Sequence, residues 1–502
     1  MLLLINYMKV VKNDVVYLVN AGNDPGMSAI ANDYSFPALG VLALGTWLKQ
    51  RVSDLEVIVR DGGVHSQEKI LKDIEMYNPG LVGVSVLSTS YQNALQIAQA
   101  AKDSGALTVF GNDQAAQLSG KILSNRPYID FVIGSEYGEE SLEMLVKSLK
   151  DGTIPLSSIP HLTYRDGDSI KGFDYQRDKN LLSITLSELN KTKKRTSALD
   201  IFPVVDRTLF PKEHWDAYLK NYMNKFAGLH SSEVTGVSTM NRARGCSRQG
   251  KDICKHCDML LDISFSSPKM FWEEAKAAYE QVGANVLYEV CDSFSSFGKF
   301  VKDVAKSRPS NLGFEPQFFV YAQARDLVRR PGLAKQFKDM GVFRVNIGLE
   351  SGSDQTLQHM KGPGDSVRTN YLALKLMKSE GIHVYGSLVL GTEAETPETL
   401  RETVEWTKNI IDERLVSDIE AQPILPLPNN YYGRKLMEKD LFPEGPTSDW
   451  PIDTDQISKL YVDRFSGVSY EAAVSAATEI RNHADASGIN FGSGVSREDK
   501  YK

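Results

Sequence analysis

Cysteine is scarce in this chain: 502 residues carry four. That excludes a disulfide framework and fits a reducing compartment, so the cytoplasm is the expected location. Long apolar runs are also missing. No stretch approaches the roughly 18 apolar residues of a membrane span. The start, Met1–Val10, has a short apolar run but neither the basic front nor the cleavage site of a secretory signal. Basic charge is not in excess. Lys and Arg total 57 against 64 Asp and Glu, a formal net charge of −7. This argues against a phosphate-neutralising surface and a nucleic-acid substrate. The basic run Lys191–Arg195 reads as solvated surface.

What is present is a globular composition, 42% hydrophobic and 24% charged, in a chain too long for one ordinary domain. Residues 1–150 alternate apolar strands with amphipathic helices. Strands are expected at Val15–Asn20, Leu55–Arg60, Leu81–Ser85, Leu107–Phe110 and Phe131–Ile133. Helices are expected at Leu39–Arg51, Gln67–Met76, Tyr91–Asp103, Gln114–Ser124 and Glu139–Lys150. This predicts a doubly wound, Rossmann-like parallel sheet whose loops Asn20–Asp33, Leu87–Ser90 and Gly111–Ala115 gather at the ligand-binding end. Residues 151–235 break the rhythm and read as a connector.

A second series runs over 236–425, with strands at Val237–Asn241, Asn285–Val290, Phe318–Tyr321, Phe343–Gly348, Val384–Leu390 and Ile419–Ile424. Helices fit between them at Pro268–Val282, Phe297–Ser307, Leu327–Met340, Asp365–Glu380 and Thr396–Asp412. Six such units predict a partial (β/α)6 barrel with its site at the strands' carboxyl ends. Residues 426–502 are irregular, with one helix expected at Tyr470–Ala484 and a fraying tail from Ser487.

Three of the four cysteines, Cys246, Cys254 and Cys257, fall in the loop after the first strand of that barrel, spaced C-x7-C-x2-C. Three readings compete. Inert buried thiols do not explain the clustering. Zinc wants four ligands in a closed site, and His256 lies between its neighbouring cysteines, badly placed to share their metal. An iron–sulfur cluster is held by thiolates, and three of them leave one iron open to a small molecule.

The loop resembles that of the radical S-adenosylmethionine (SAM) enzymes, whose commoner spacing is four residues shorter. The resemblance extends downstream. Gly348-Leu349-Glu350-Ser351-Gly352-Ser353 is similar to a family segment whose acidic residue faces SAM. Gly386-Ser387-Leu388-Val389-Leu390-Gly391, then Glu395-Thr396, resembles the fifth-strand segment, with Glu393 and Ala394 in place of the usual proline and glycine. Asp292-Ser293-Phe294 and Tyr321-Ala322-Gln323-Ala324-Arg325 resemble the ends of strands two and three. The resemblance implies that Cys246, Cys254 and Cys257 hold a [4Fe–4S] cluster. It implies SAM contacts from His256, Asp292, Gln323, Glu350 and Ser387. Cys291 reads as a structural thiol.

The N-terminal segments resemble cobalamin-binding members of the family. Pro37-Ala38-Leu39-Gly40 is similar to their first helix. Val82–Ser85 and Thr108–Asp113 match two strand ends, and Phe131–Ser141 resembles the last strand and its turn. The implied cobalamin contacts are Pro37, Leu39, Ser85, Leu87, Ser88, Gly111, Asn112, Asp113, Gly134, Glu136 and Tyr137. The D-x-H-x-x-G motif that gives cobalt a histidine is absent: His65 is misplaced after Asp61, and Gln114 and Ala115 follow Asp113.

The family's chemistry is reductive SAM cleavage to a 5′-deoxyadenosyl radical. In members that bind cobalamin without the histidine, the outcome expected is methylation of an sp3 carbon, with no catalytic residue certain in this chain. The implied partners are a small-molecule or peptide substrate and a flavodoxin- or ferredoxin-like electron donor. Two alternatives stay open. One is a cobalamin-dependent radical enzyme that rearranges or contracts rings without methylating. The other is a non-catalytic cobalamin-binding or zinc regulatory module.

Overall fold

The computed structural model describes residues 13–24, 35–135, 137–174, 195–248, 253–257, 263–442, 445, 448–450 and 453–491. Glu136, the run Lys191–Lys194, most of the loop Asn20–Asp33, the spacer between Arg248 and Ile253 and the tail beyond Phe491 lie outside them.

The first sheet runs β1 (Val15–Asn20), β2 (Glu56–Asp61), β3 (Leu81–Ser85), β4 (Leu107–Gly111) and β5 (Phe131–Ile133). Its spatial order is β2-β1-β3-β4-β5, all parallel. A hairpin from the connector, β6 (Leu162–Asp166) and β7 (Ser169–Gly172), extends it antiparallel. The order turns back at β1 and β3, where a parallel sheet opens a crevice at its carboxyl end. Helices α1 (Leu39–Arg51) and α6 (Gly138–Asp151) cover one face there. Between them in sequence come α2 (Gln67–Tyr77), α3 (Tyr91–Asp103), α4 (Asp113–Gln117) and α5 (Ser119–Asn125). The helix expected over Gln114–Ser124 is thus broken in two at Leu118.

The connector also builds α7 (Lys212–Phe226), whose Tyr218, Tyr222 and Phe226 enter a cluster with Phe36, Val237, Val286, Phe319 and Tyr385. These side chains form one buried apolar cluster that packs α7 against the second domain. A buried triad ties the connector to the second domain: Glu274 pairs with Arg207 at 2.7 Å and with Arg242 at 2.5 Å.

The second sheet begins with β8 (Val237–Met240), then the short pair β9 (Ala243–Arg244) and β10 (Ser264–Phe265), which hydrogen-bond to each other outside it. The other members are β11 (Val286–Glu289), β12 (Gln317–Ala322), β13 (Val342–Glu350), β14 (His383–Leu390) and β15 (Asp418–Pro423). The parallel order β15-β14-β13-β12-β11-β8 is that of an open barrel with six strand–helix units. Helix α8 (Pro268–Val282) starts as sequence dictates: the Ser267 side chain accepts from the Met270 N–H, and Pro268 needs no donor. Next come α9 (Gly298–Lys306), α10 (Ala324–Arg329), α11 (Gly332–Met340), α12 (Asp354–Lys361), α13 (Val367–Ser379) and α14 (Pro397–Asp412). The expected helix Leu327–Met340 is interrupted at Pro331, which lacks an N–H to continue it.

The C-terminal region is more ordered than its sequence suggests. Helices α15 (Tyr431–Glu438), α16 (Thr454–Phe465) and α17 (Tyr470–Ala486) follow β15. The chain then adds a seventh strand, β16 (Asn490–Phe491), beside β15, so this part of the expected frayed tail joins the sheet. Ile424, Tyr432, Leu436, Trp450 and Tyr461 share a core with Tyr17, Val84 and Phe110 of the first sheet. Asp449 fastens the two by accepting from Arg126 at 2.7 and 3.0 Å and from the Tyr91 hydroxyl at 2.7 Å.

Candidate functional site

The cysteine loop leaves β8 and is braced at its entry. Glu289 accepts from the Arg242 and Ala243 N–H groups at 2.8 and 3.1 Å, turning the chain toward Cys246. None of the three cysteines is in a disulfide. Gln323 spends its amide here: its NH2 lies 3.3 Å from the Cys246 sulfur, and its carbonyl accepts from Arg248 at 2.8 Å. Arg248 continues the brace to the Lys361 carbonyl at 2.6 Å and to the Asp365 carboxylate. From the other side, Lys255 N–H donates to the Met360 carbonyl and Tyr431 N–H to the Lys255 carbonyl. Burial pushes the Cys246 and Cys254 thiols up, and Arg248, with Lys361 for Cys254, works the other way. Among the described residues, no three His, Cys, Asp or Glu side chains gather where a single metal ion could sit. A four-coordinate zinc site is therefore not built among them, whereas in a cube each thiolate serves its own iron.

Glu350 ends β13 in the left-handed region, φ 62°, just after a register shift against β14. A non-glycine residue there is strained, and such strain collects at ligand sites. Its carboxylate lies 3.0 Å from Lys361 Nζ and 3.4 Å from His256 Nε2. Burial works to raise the Glu350 carboxyl, but Lys361 and then His256 outweigh it and hold it below the usual range. Gly348 makes this possible, because a Cβ there would collide with the Glu350 carboxylate. Gly352 lets the following turn lie against α14, where a Cβ would stand 2.8 Å from Thr403 and Trp406. His256 Nδ1 is buried without a hydrogen-bond partner among the described residues, an unanswered polar atom beside Glu350. Ser387 is level in register with Gly348 on one side and Glu420 on the other. Asp292 accepts from the Gly245 N–H at 3.0 Å, and burial pushes its carboxyl up to about 6.

A cavity of about 350 Å³ opens at the carboxyl end of the first sheet. Leu39, Ser85, Gly111, Asn112, Asp113 and Gly134, six of the residues that the resemblance assigned to cobalamin, line it. Asn241, Arg244, Val290 and Asp292 from the barrel line its far side. Of the other expected contacts Glu136 lies outside the described residues, and the rest are placed elsewhere. Pro37 meets the barrel through its carbonyl, which accepts from Thr239 at 3.0 Å. Ser88 donates to Gln114 at 2.6 Å in a buried pair, and Leu87 caps the same turn through its backbone N–H to Ser90. Tyr137 bonds Ser264 at 2.9 Å and stacks on Phe202, joining the two domains. Sequence reasoning named neither Arg244 nor Glu139 as a site residue, although Glu139 lies within the family-like segment Phe131–Ser141; both line the cavity.

The family model of the radical SAM superfamily matches residues 240–407, and that of the B12 binding domain matches residues 30–146. The chain belongs to the cobalamin-dependent radical SAM enzymes. Its radical SAM domain implies a [4Fe–4S] cluster and SAM, and its B12-binding domain implies cobalamin. Such enzymes act on small molecules and need a reductant.

Among relatives, the anaerobic magnesium-protoporphyrin IX monomethyl ester cyclase of Rubrivivax gelatinosus is 22% identical over 68% of this chain and 57% of the cyclase. An uncharacterized methyltransferase of Pyrococcus horikoshii is 21% identical over 74% of this chain and 73% of its own. Among solved structures, the radical SAM methyltransferase TsrM of Kitasatospora setae, with cobalamin and a [4Fe–4S] cluster bound, superposes with a TM-score of 0.61. It is 15% identical and covers 85% of this chain and 75% of its own. The cobalamin-dependent radical enzyme OxsB, with aqua-cobalamin and SAM bound, gives 0.57 at 17% identity over 95% and 62%. At these identities the likeness is one of fold. No described helix is long and apolar enough to cross a membrane.

Proposed function

We propose that this radical SAM enzyme methylates an unactivated sp3 carbon. One observation carries the reading: a single cavity is walled on one side by Gly111, Asn112 and Gly134 of the first sheet and on the other by Asn241, Val290 and Asp292 of the barrel. These residues would hold cobalamin between the first sheet and the barrel, where SAM and substrate would meet. When bound, SAM at the cluster would supply the radical that activates the substrate carbon, and cobalamin would supply the methyl group.

The chain's own residues bind, orient and exclude water. Cys246, Cys254 and Cys257 would hold the cluster, and Gln323 and Arg248 fix the Cys246 turn. Glu350, kept ionised by Lys361, would take the polar hydrogens of SAM. Ser387 would meet it from the next strand, and the His256 ring would lie against it. Asp292, at the join of cavity and barrel, would face SAM on the side toward cobalamin. Pro37, Leu87, Ser88 and Tyr137 would support the cobalamin pocket rather than touch it. We assign residues 1–150 to cobalamin, 151–235 to a connector, 236–425 to the cluster and SAM, and 426–502 to a cover that holds the cysteine loop. A small molecule or peptide is the substrate, and a flavodoxin- or ferredoxin-like protein the reductant.

The test is anaerobic turnover of the reconstituted enzyme with candidate substrates. Methylation yields S-adenosylhomocysteine alongside 5′-deoxyadenosine and a product heavier by one methylene. The likeness to the Rubrivivax cyclase favours a second reading, radical chemistry without methyl transfer, which yields 5′-deoxyadenosine alone.

A further inference from the structure

Two donors converge on the Cys246 sulfur. The Arg248 N–H, two residues on, lies 3.4 Å away, and the side-chain NH2 of Gln323 reaches it at 3.3 Å from the end of β12. Sulfur is larger than oxygen, so both are hydrogen-bond lengths.

The direction of the amide is fixed by what it meets on its other side. The Gln323 carbonyl accepts from Arg248 Nε at 2.8 Å, and a guanidinium can only donate. The amide therefore cannot be flipped, and its NH2 faces the sulfur. Arg248 is itself held: it is 5% exposed and donates to the Lys361 carbonyl at 2.6 Å and to the Asp365 carboxylate. The Gln323 backbone is anchored too, its N–H donating to Ser295 Oγ at 2.9 Å. The same NH2 also approaches the hydroxyls of Ser293, Ser296 and Ser247 at 3.0, 3.1 and 3.3 Å. Those hydroxyls have one another, with Ser296 standing 2.9 Å from Ser293 and 3.1 Å from Ser247. A thiolate is charged, so it draws the shared hydrogens more strongly than a neutral hydroxyl does.

An amide neither titrates nor ligates iron readily, so its use beside a cluster thiolate is electrostatic. Hydrogen bonds to the sulfurs help to set the potential of an iron–sulfur cluster. Reduction adds negative charge, part of it on the thiolates, and a donor aimed at one of them favours the reduced form. We propose that Gln323, oriented by Arg248, raises the reduction potential of the cluster through its hydrogen bond to Cys246 and does not contact SAM. No atom is transferred: one electron leaves the reductant and enters the cluster, and the N–H stays on the amide. This rests on the reading of Cys246 as a cluster ligand, and it makes Gln323 a positioning residue that acts through that sulfur.

The experiment is a redox titration of the anaerobically reconstituted full chain, followed by the electron paramagnetic resonance of the reduced cluster, for the parent, Q323L, Q323E and S296A. Q323L removes the donor. At a fixed poise its ratio of reduced to oxidised cluster should fall about fivefold, a shift of about 40 mV to lower potential for one electron. Q323E keeps the shape and the acceptor for Arg248 but cannot donate to sulfur as a carboxylate, and it should fall further. S296A removes a neighbour of the amide and no donor to sulfur, and should leave the potential where it is. Equilibrium dialysis should find the SAM affinity of Q323L within about twofold of the parent. An unchanged potential in Q323L, or in Q323E should Q323L take up no iron, would overturn the proposal. So would an equal fall in S296A, or a loss of SAM affinity without a change of potential. A parent that binds no iron, or a C246A variant that still gives the parent's signal, would overturn the reading of Cys246 as a ligand, and the proposal with it.

Discussion

Lys361 holds its ammonium 3.0 Å from the Glu350 carboxylate, over a glycine at position 348 that leaves room for it. Gly348→Ala would drive that carboxylate from its place without opening a cavity. SAM affinity should fall about tenfold, equivalent to about 1.4 kcal/mol. Equilibrium dialysis with labelled SAM checks it. Unchanged affinity would mean that Glu350 does not face SAM.

The corrinoid cavity takes most of its wall from the first sheet, and none of Cys246, Cys254 and Cys257 lines it. The triple change Cys246/Cys254/Cys257→Ala should abolish iron binding and SAM cleavage while leaving hydroxocobalamin binding intact. Spectroscopic titration of the variant with hydroxocobalamin decides the point. Equal loss of both cofactors would contradict two separate sites.

Glu289 braces the loop from a fully buried position, and burial pushes its carboxyl up to about 8 from an ordinary 4.5. The folded chain therefore keeps a proton that the unfolded chain releases. Stability should fall as pH rises between these two values, by at most about 1.4 kcal/mol per unit from this group. Glu289→Gln keeps an acceptor for Arg242 and Ala243 but cannot titrate. Denaturant unfolding of the cofactor-free chain at pH 6 and pH 8 should show a smaller loss in the variant than in the parent.

Asp449 joins the C-terminal region to the first domain through Arg126 and Tyr91. Asp449→Ala leaves both partners unmatched in a largely buried place and should cost about 3 kcal/mol. Tyr91→Phe on top of it should add less than it does alone, since the hydroxyl has already lost its acceptor. Unfolding midpoints of the two single variants and the double variant test this.

Much of the architecture was legible from periodicity. Val15–Asn20, Leu39–Arg51, Tyr91–Asp103 and Pro268–Val282 have the predicted bounds, because each couples a clear apolar pattern to a turn or cap. After Pro426 the helix expected at Tyr470–Ala484 is present as Tyr470–Ala486, whereas Asp354–Lys361, Tyr431–Glu438 and Thr454–Phe465 were not legible. They are short or bury mixed faces against a partner that sequence does not reveal, such as Trp450 and Tyr461 against the first sheet. The cysteines and Glu350 stood out as motif. Lys361 and Glu139 sat within family-like segments but no role was read from them, nor from Arg248, since a charged residue declares its role only when the fold brings its partner near. Glu393, met in the sequence as a departure from the family, proves to be a hub for Tyr431 at 2.8 Å, His359 at 3.3 Å and Lys435. It fastens the C-terminal cover beside the cysteine loop.

The most direct test of the central claim is iron, sulfide, zinc and cobalt content per chain after anaerobic purification and reconstitution with iron, sulfide and hydroxocobalamin. The account predicts about four irons with matching sulfide and about one cobalt. Zinc without iron, or iron without cobalt, would contradict it.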